Sequence, residues 1–131
     1  MGEEAMKDKY YYKDGSTSSK YDDSKVLHRV DGPAIEYADG DKIWYIDGQC
    51  HREDGPAVEN ANGNKWWWVN DRRHRIDGPA CEWAIGNREW WVDGEFYTEE
   101  EFNKLINEAK QLPLALRLID PREWVRLMKT R

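Results

Sequence analysis

The chain lacks long apolar segments, and it has only two cysteines among its 131 residues. Because a membrane-spanning helix needs about 20 mainly apolar residues, we expect no such helix. Residues 1–14 also lack the apolar stretch of a secretory signal. Cys50 and Cys81 can form at most one bridge, which is too few for a disulfide-stapled fold. These absences favour a cytoplasmic protein that does not associate with membranes.

Positive charge is also in short supply. The chain has 20 Lys and Arg residues against 26 Asp and Glu residues, which gives a net charge of −6. Residues 26–97 alone hold 14 acidic and 8 basic residues. Nucleic acids and anionic bilayers attract proteins through clustered basic residues, so we expect neither as a partner.

Aromatic residues are abundant instead. The chain contains 8 Trp and 7 Tyr, although its mean hydropathy is −1.02 and 35% of its residues are charged. Such polarity is typical of disordered chains, but aromatic rings remove large apolar areas from water when they are buried. We therefore expect a folded chain whose core is built mainly from rings.

A seven-residue motif occurs three times at a constant interval of 23 residues, which we call the repeat period. The sequence His-Arg-x-Asp-Gly-Pro-Ala occupies residues 28–34, 51–57 and 74–80. Other columns recur in the same phase: Glu36, Glu59 and Glu82; Gly40, Gly63 and Gly86; Trp44, Trp67 and Trp90. A fixed period of this length indicates a repeat protein in which each unit is one supersecondary element. The repeat block covers residues 26–97.

Each unit predicts two strands and two turns. In the first unit the strands are residues 34–38 and 43–46, the second of which is rich in aromatic and β-branched residues. The turn between them contains Asp39-Gly40, a typical hairpin signal. The Asp-Gly-Pro step predicts a fixed corner, in which Gly supplies backbone freedom and Pro fixes its own φ. The predicted fold is mainly β, an antiparallel β-meander of six to eight strands.

Alternation within the second strand sorts the aromatic residues onto two faces. The predicted core face carries Trp44, Trp67 and Trp90 together with Ile46, Val69 and Val92. The opposite face carries Tyr45, Trp68 and Trp91. Two alternatives stay open for this second face: it is covered by the C-terminal helices, or it is an exposed aromatic platform.

The two ends of the chain differ from the repeats. Residues 1–25 are a polar N-terminus with a degenerate half-repeat, in which Tyr21 lies one repeat period before Trp44. Residues 98–131 predict a helical cap, since Thr98 and Glu101 have the spacing of a capping box. A second helix is predicted from Asp120, with the apolar residues Trp124, Val125, Leu127 and Met128. Repeat arrays need such caps at their ends.

The motif and the hairpin unit together resemble known repeats. Residues 26–97 resemble MORN and MORN-variant repeats in unit length and in their aromatic second strands. The motif followed by a Trp is similar to the HRxDGPA repeats of bacteriophage and bacterial proteins. The units depart from ordinary MORN units, so a lipid-tethering role is not implied. The resemblance implies a β-hairpin repeat fold and no single activity.

The motif residues do not favour a metal site or an enzyme. His28, His51 and His74 occur once per two-stranded unit, so they lie about 10 Å apart and cannot share one zinc ion. Every His, Asp or Glu candidate also occurs in triplicate, whereas a catalytic residue is normally unique. We therefore expect no catalytic residue, no metal and no cofactor.

The predicted function is binding to another protein without turnover. Trp, Tyr and Arg dominate interface energetics, and the acidic surface favours a basic partner. The candidate contact residues are the anchors Tyr45, Trp68 and Trp91, the basic group Arg72, Arg73 and Arg75, and the acidic Glu89 and Glu95.

The resemblance sharpens this hypothesis to a phage or mobile-element accessory protein. Such a protein would bind and inhibit a host protein, for example a defence factor, in the host cytoplasm. The alternatives are capture of a nucleotide-like ligand by the aromatic and arginine residues, and a purely structural scaffold. The sequence leaves the oligomeric state open.

Overall fold

The described part of the chain contains 13 short strands and the helix α1 (Glu99–Lys110), and the described residues Arg122, Glu123 and Arg126 are also helical. The computed structural model describes residues 6–113 together with residues 120, 122, 123 and 126. The strands are β1 (Lys9–Tyr11), β2 (Thr17–Ser18), β3 (Ile35–Glu36), β4 (Lys42–Ile43), β5 (Tyr45–Ile46), β6 (Gln49–Cys50), β7 (Val58–Glu59), β8 (Lys65–Trp66), β9 (Trp68–Val69), β10 (Arg72–Arg73), β11 (Cys81–Glu82), β12 (Arg88–Val92) and β13 (Glu95–Tyr97).

Nine of these strands form one antiparallel sheet, in the order β13-β12-β11-β8-β7-β4-β3-β1-β2. The hairpins β5–β6 and β9–β10 form two further two-stranded sheets. From β3 to β13 the large sheet therefore follows the order of the chain, with the two hairpins branching from it. The predicted fold class, a mainly β meander with C-terminal helical structure, is confirmed.

The predicted second strand is divided in the first two units, which makes the strands shorter and more numerous than expected. Trp44 separates β4 from β5, and Trp67 separates β8 from β9. The N–H of Trp44 donates to the carbonyl of Ala57 over 2.8 Å, and Trp67 makes the same bond to Ala80. In the third unit β12 runs unbroken through the equivalent residue, Trp90.

Side chains alternate between two faces of the sheet. The cysteine face carries Cys50 and Cys81, while the motif face carries the motif arginines. On the cysteine face the β5–β6 hairpin packs against the large sheet, because Cys50 and Val58 share a buried cluster with Trp66 and Trp68. The predicted core column of Trp44, Trp67 and Trp90 is only half-buried, as are Tyr45, Trp68 and Trp91. Neither aromatic column is therefore a fully buried core, and both faces of the sheet carry half-buried rings.

The motif face carries an alternating ladder of charges. Acidic and basic residues stand opposite each other on successive strands, in the order Glu36, Lys42, Glu59, Lys65, Glu82 and Arg88. Opposite charges on adjacent strands stabilise a sheet by a few tenths of a kcal/mol to about 1 kcal/mol per pair. This ladder fixes the register of short strands that bury little on this side.

The N-terminal strand supplies the ring that precedes the first motif. The N–H of Tyr11 donates to Ala34, as Trp44 does to Ala57, and the guanidinium of Arg29 lies 3.9 Å from the Tyr11 ring centroid. Tyr11 therefore takes the place in the ring column that the repeat period assigns to Tyr21. Tyr21 is 55% exposed, because the stretch between the ring and the motif is longer in this half-unit than in the repeats.

The helix α1 begins where a fourth motif arginine would stand. Thr98 lies one repeat period after Arg75, and its N–H donates to the side chain of Glu101 in a complete capping box. Phe102 packs in a buried cluster with Val92 on the motif face. The apolar residues of the predicted second helix, Trp124, Val125, Leu127 and Met128, lie outside the described residues.

Candidate functional site

The motif arginines hold the corners together. Arg75 donates from Nε to Asp77 over 2.8 Å, and from Nη1 to the carbonyl of Pro79 over 3.0 Å and to Glu82 over 3.3 Å. Its guanidinium also stacks 3.9 Å from the centroid of the Trp67 ring. Arg29 and Arg52 make the same hydrogen bonds in their own units and stack on the preceding ring, Tyr11 and Trp44 respectively. Each arginine is thus paired with two carboxylates inside its own unit.

The motif histidines also have a structural use. Nδ1 of His28, His51 and His74 accepts a backbone N–H, at 2.9, 3.1 and 3.0 Å, from Asp47, Asn70 and Asp93 respectively. Burial lowers the pKa of His74, and the nearby Arg122 lowers it further, which favours the neutral form that this bond requires. Within the described residues there is no group of three or more His, Cys, Asp or Glu side chains placed to hold a metal ion.

The three clustered arginines of the sequence separate in space. Arg75 lies on the motif face against Trp67. Arg73 lies on the cysteine face, with its guanidinium 5.3 Å from the Trp68 ring centroid and 4.8 Å from that of Trp91. Arg72 is exposed beside them and pairs with Asp93 at 3.4 Å. The basic group predicted at one edge is therefore reduced to Arg72 and Arg73.

One column on the cysteine face changes its chemistry along the array. Its first two members, Leu27 and Cys50, are both 8% exposed and contribute to the buried clusters. The third member is Arg73, a charged residue whose guanidinium packs near two indole rings. The fourth member, Phe96, is 56% exposed. The column is thus buried and apolar in the first two units and stops being so in the third. Leu27 and Cys50 show that the fold accommodates a buried apolar residue at this position.

The residues around Arg73 form a shallow cavity of about 380 Å³. Trp68 and Trp91 line it together with Arg72, Arg73 and carboxylates of Asp71 and Asp93. Trp91 is positioned from two sides: its Nε1 donates to Glu89 over 2.9 Å, and its ring meets Phe96 edge-on with centroids 5.5 Å apart. We name Trp68, Arg73, Trp91 and Phe96 the third-unit patch.

Two predicted contact residues lie elsewhere. Tyr45 belongs to the first unit, where it packs against two buried clusters and burial raises its pKa. Glu95 pairs in register with Val92 on the motif face, where it accepts a hydrogen bond from the hydroxyl of Tyr97 over 3.2 Å. The structure thus brings together Trp68, Trp91, Arg72, Arg73 and Glu89, and it leaves Tyr45, Arg75 and Glu95 apart.

Phe96 is the contact residue that the sequence reasoning missed. It lies one repeat period after Arg73, so following the Leu27 column one step beyond the last motif would have identified it. The helix α1 does not cover this patch, because Phe102 packs on the opposite, motif face with Val92. The helix α1 therefore does not cover the face that carries Trp68 and Trp91, which was one of the two alternatives for that face.

The cysteines are unsuited to nucleophilic chemistry. Burial raises the pKa of Cys50 to about 12 and that of Cys81 to about 11. Both thiols are therefore protonated near neutral pH, and the thiolate is the reactive form.

Comparison with known proteins adds no assignment to this geometry. No family model, curated protein or solved structure matches the chain. Among the described helical residues, none belongs to a helix long and apolar enough to cross a bilayer.

Proposed function

We propose that the protein is a non-enzymatic binding module whose third-unit patch contacts another protein. The observation that supports this proposal is the change of the Leu27 column into Arg73 and the exposed Phe96. A scaffold needs no guanidinium packed against two indoles and no phenyl ring left 56% exposed at the next position of the column. Trp and Arg are enriched among the residues that carry most of the binding energy at interfaces.

The geometry favours a protein over a nucleotide-like ligand. A ligand site built from all three clustered arginines would need them together, but Arg75 lies on the other face. Arg73 already packs against both indole rings, at 5.3 Å from the Trp68 centroid and 4.8 Å from the Trp91 centroid, so it competes with a base for stacking on them. An Arg packed against aromatic rings forms an amphipathic surface of the kind that protein interfaces use.

The partner is proposed to be a basic protein. The chain carries a net charge of −6, and opposite net charges accelerate encounter at low salt. The resemblance to phage-borne repeats extends the proposal to inhibition of a host protein, for example a defence factor. This extension rests on resemblance alone.

The test compares two exposed apolar residues of the third unit. The tagged chain and its variants Phe96→Ala and Ile85→Ala are used to capture proteins from a bacterial lysate, and any stoichiometric partner is purified for calorimetry. Ile85 is 83% exposed and lies outside the patch, so Ile85→Ala is the matched control. We expect Phe96→Ala to weaken binding at least about tenfold, or about 1.4 kcal/mol.

Two results would overturn the proposal. One is the absence of any stoichiometric protein partner. The other is equal binding by the Phe96→Ala and Ile85→Ala variants. Because Phe96 is largely exposed, its truncation should leave the melting temperature close to that of the parent chain.

A further inference from the structure

Two equivalent grooves lie between successive motif corners on the motif face. The N-terminal groove, of about 860 Å³, has Trp44 and Ile46 as its floor and lies between the first and second motifs. The C-terminal groove, of about 700 Å³, has Trp67 and Val69 as its floor and lies between the second and third motifs. Because the floor residues are one repeat period apart, the repeat itself builds the same groove twice.

The C-terminal groove already contains a side-chain pair from elsewhere in the chain. Asp120 and Arg122 contribute to its lining, beside His74 and the second and third motif corners. Arg122 donates from Nε to Asp120 over 2.9 Å, and its side chain is only 22% exposed. The hydrogen bond to Asp120 raises the pKa of Arg122 most, and the nearby carboxylates of Asp93 and Glu53 raise it further. The groove thus accommodates a guanidinium that is paired with a carboxylate from the same segment of the chain.

The N-terminal groove offers the same chemistry without such a pair among the described residues. Its walls carry Asp31, Glu53 and Asp54, whose side chains are 86%, 75% and 87% exposed. The guanidinium groups of Arg29 and Arg52 in the same walls are each bonded to a second carboxylate as well, Glu36 and Glu59. The lining itself holds three carboxylates against two guanidinium groups, so charge complementarity favours a cationic occupant.

An exposed apolar residue at the groove marks its mouth as a contact surface. Val30 is 82% exposed and contributes to the wall beside the Trp44 floor. An arginine side chain combines an apolar stem with a charged, planar end. Because Arg52 already stacks on the Trp44 ring, such a side chain can bury its stem against Val30 at the mouth of the groove while its guanidinium reaches the carboxylates.

We infer that the N-terminal groove is a docking site for an arginine side chain of the basic protein partner. This inference rests on the proposed function and names a second contact surface for it. The groove binds the arginine between two motif corners, in the place where the C-terminal groove holds Arg122. The partner would thus contact the chain at two places. One of its segments lies in the groove on the motif face, and another part of the partner contacts the third-unit patch on the cysteine face.

The test uses a short peptide with the sequence of residues 120–123, acetyl-Asp-Pro-Arg-Glu-amide, as the probe. It is titrated into the full ¹⁵N-labelled chain, and the indole N–H resonances are followed by NMR after assignment with Trp44→Phe and Trp67→Phe variants. We expect the Trp44 resonance to shift in a saturable way. A control peptide with Ala in place of Arg should bind at least tenfold more weakly.

A pair of variants separates the groove from general charge effects. Val30→Arg adds a cation at the groove, whereas Ile85→Arg adds the same charge at an equally exposed aliphatic residue of a distant turn. We expect at least a tenfold loss of peptide affinity for Val30→Arg and no loss for Ile85→Arg.

Three outcomes would overturn the inference: no shift of Trp44, equal binding of the Arg and Ala peptides, or a shift confined to Trp67. The last would mean that the peptide only replaces the chain's own Arg122. The proposed function is judged separately, because Phe96 lies outside both grooves. If Phe96→Ala loses partner binding and the Trp44 resonance does not shift with the peptide, the proposed function is supported and this inference is wrong.

Discussion

At the scale of single residues, the motif glycine is explained by close approach. A Cβ at Gly78 would lie 2.8 Å from Cζ of Arg75, and one at Gly55 would lie 2.9 Å from Cζ of Arg52. Neither glycine has a positive φ. The sequence predicts the corner correctly as an Asp-Gly-Pro turn, but it assigns the glycine to backbone freedom. Only the path of the arginine side chain reveals that the glycine leaves space for the guanidinium.

Replacing Gly78 by Ala should therefore act through Arg75. The added methyl group displaces a guanidinium that makes three hydrogen bonds and stacks on Trp67. Since hydrogen bonds to charged groups contribute about 1.5–3 kcal/mol when their donors are packed, we expect a loss of about 2 kcal/mol in unfolding free energy. Chemical denaturation measures this loss.

A double-mutant cycle distinguishes this explanation from a local backbone effect. In an Arg75→Ala background the methyl group meets no guanidinium, so Gly78→Ala should cost little further stability. Additive losses in the two variants would contradict the explanation. The same cycle with Gly55 and Arg52 provides a replicate in the second unit.

At the scale of elements, the sequence predicts the meander and the cap but not how the strands divide. The hairpin turns, the strand order and the capping box at Thr98 all follow from local patterns. The division at Trp44 does not, because it depends on a hydrogen bond to Ala57 in the next unit. The candidate site was predicted only in part, for the same reason. Alternation placed Trp68 and Trp91 together, whereas Arg75 was grouped with Arg73 by sequence proximity alone.

The helix α1 replaces the missing fourth unit. In three successive units a motif arginine covers the ring of the preceding column member, as Arg75 covers Trp67. No motif arginine follows Trp90 in the sequence, and Trp90 packs instead in the cluster of Val92 and Phe102. The N–H of Thr98 is satisfied by the side chain of Glu101, whereas the backbone N–H of Arg75 at the equivalent position donates to the carbonyl of Trp91 in its own unit.

Truncating Phe102 should consequently destabilise the third unit as well as the helix. Phe102 is 5% exposed and Val92 is fully buried beneath it. Truncation of a buried Phe typically costs about 3–5 kcal/mol, and we expect a loss in this range by chemical denaturation. Asn103→Ala, at an exposed position of the same helix, is the control and should change stability by less than about 0.5 kcal/mol. Equal, small effects would show that α1 is not a structural cap.

At the scale of the whole molecule, the chain behaves as a short linear array. Each unit hydrogen-bonds to the next: the N–H of Trp44 donates to the carbonyl of Ala57, and the N–H of Trp67 donates to that of Ala80. The chain folds back beyond the helix, where Arg122 lies beside the second and third motif corners. In such arrays stability is close to a sum of unit and interface contributions, and opening can start at one end.

The two buried cysteines report where opening begins, because one lies in the second unit and the other in the third. Cys50 is 8% exposed and Cys81 is 1% exposed, and their raised pKa values keep both protonated while the units are closed. Labelling by a thiol reagent therefore requires local or global opening. In the single-thiol variants Cys50→Ser and Cys81→Ser, we expect slow labelling of the remaining thiol. Adding Phe102→Ala removes the packing that caps the third unit, so it should accelerate labelling of Cys81 at least tenfold more than labelling of Cys50. Equal acceleration of both thiols would contradict the array description, since it would mean that the units open only together.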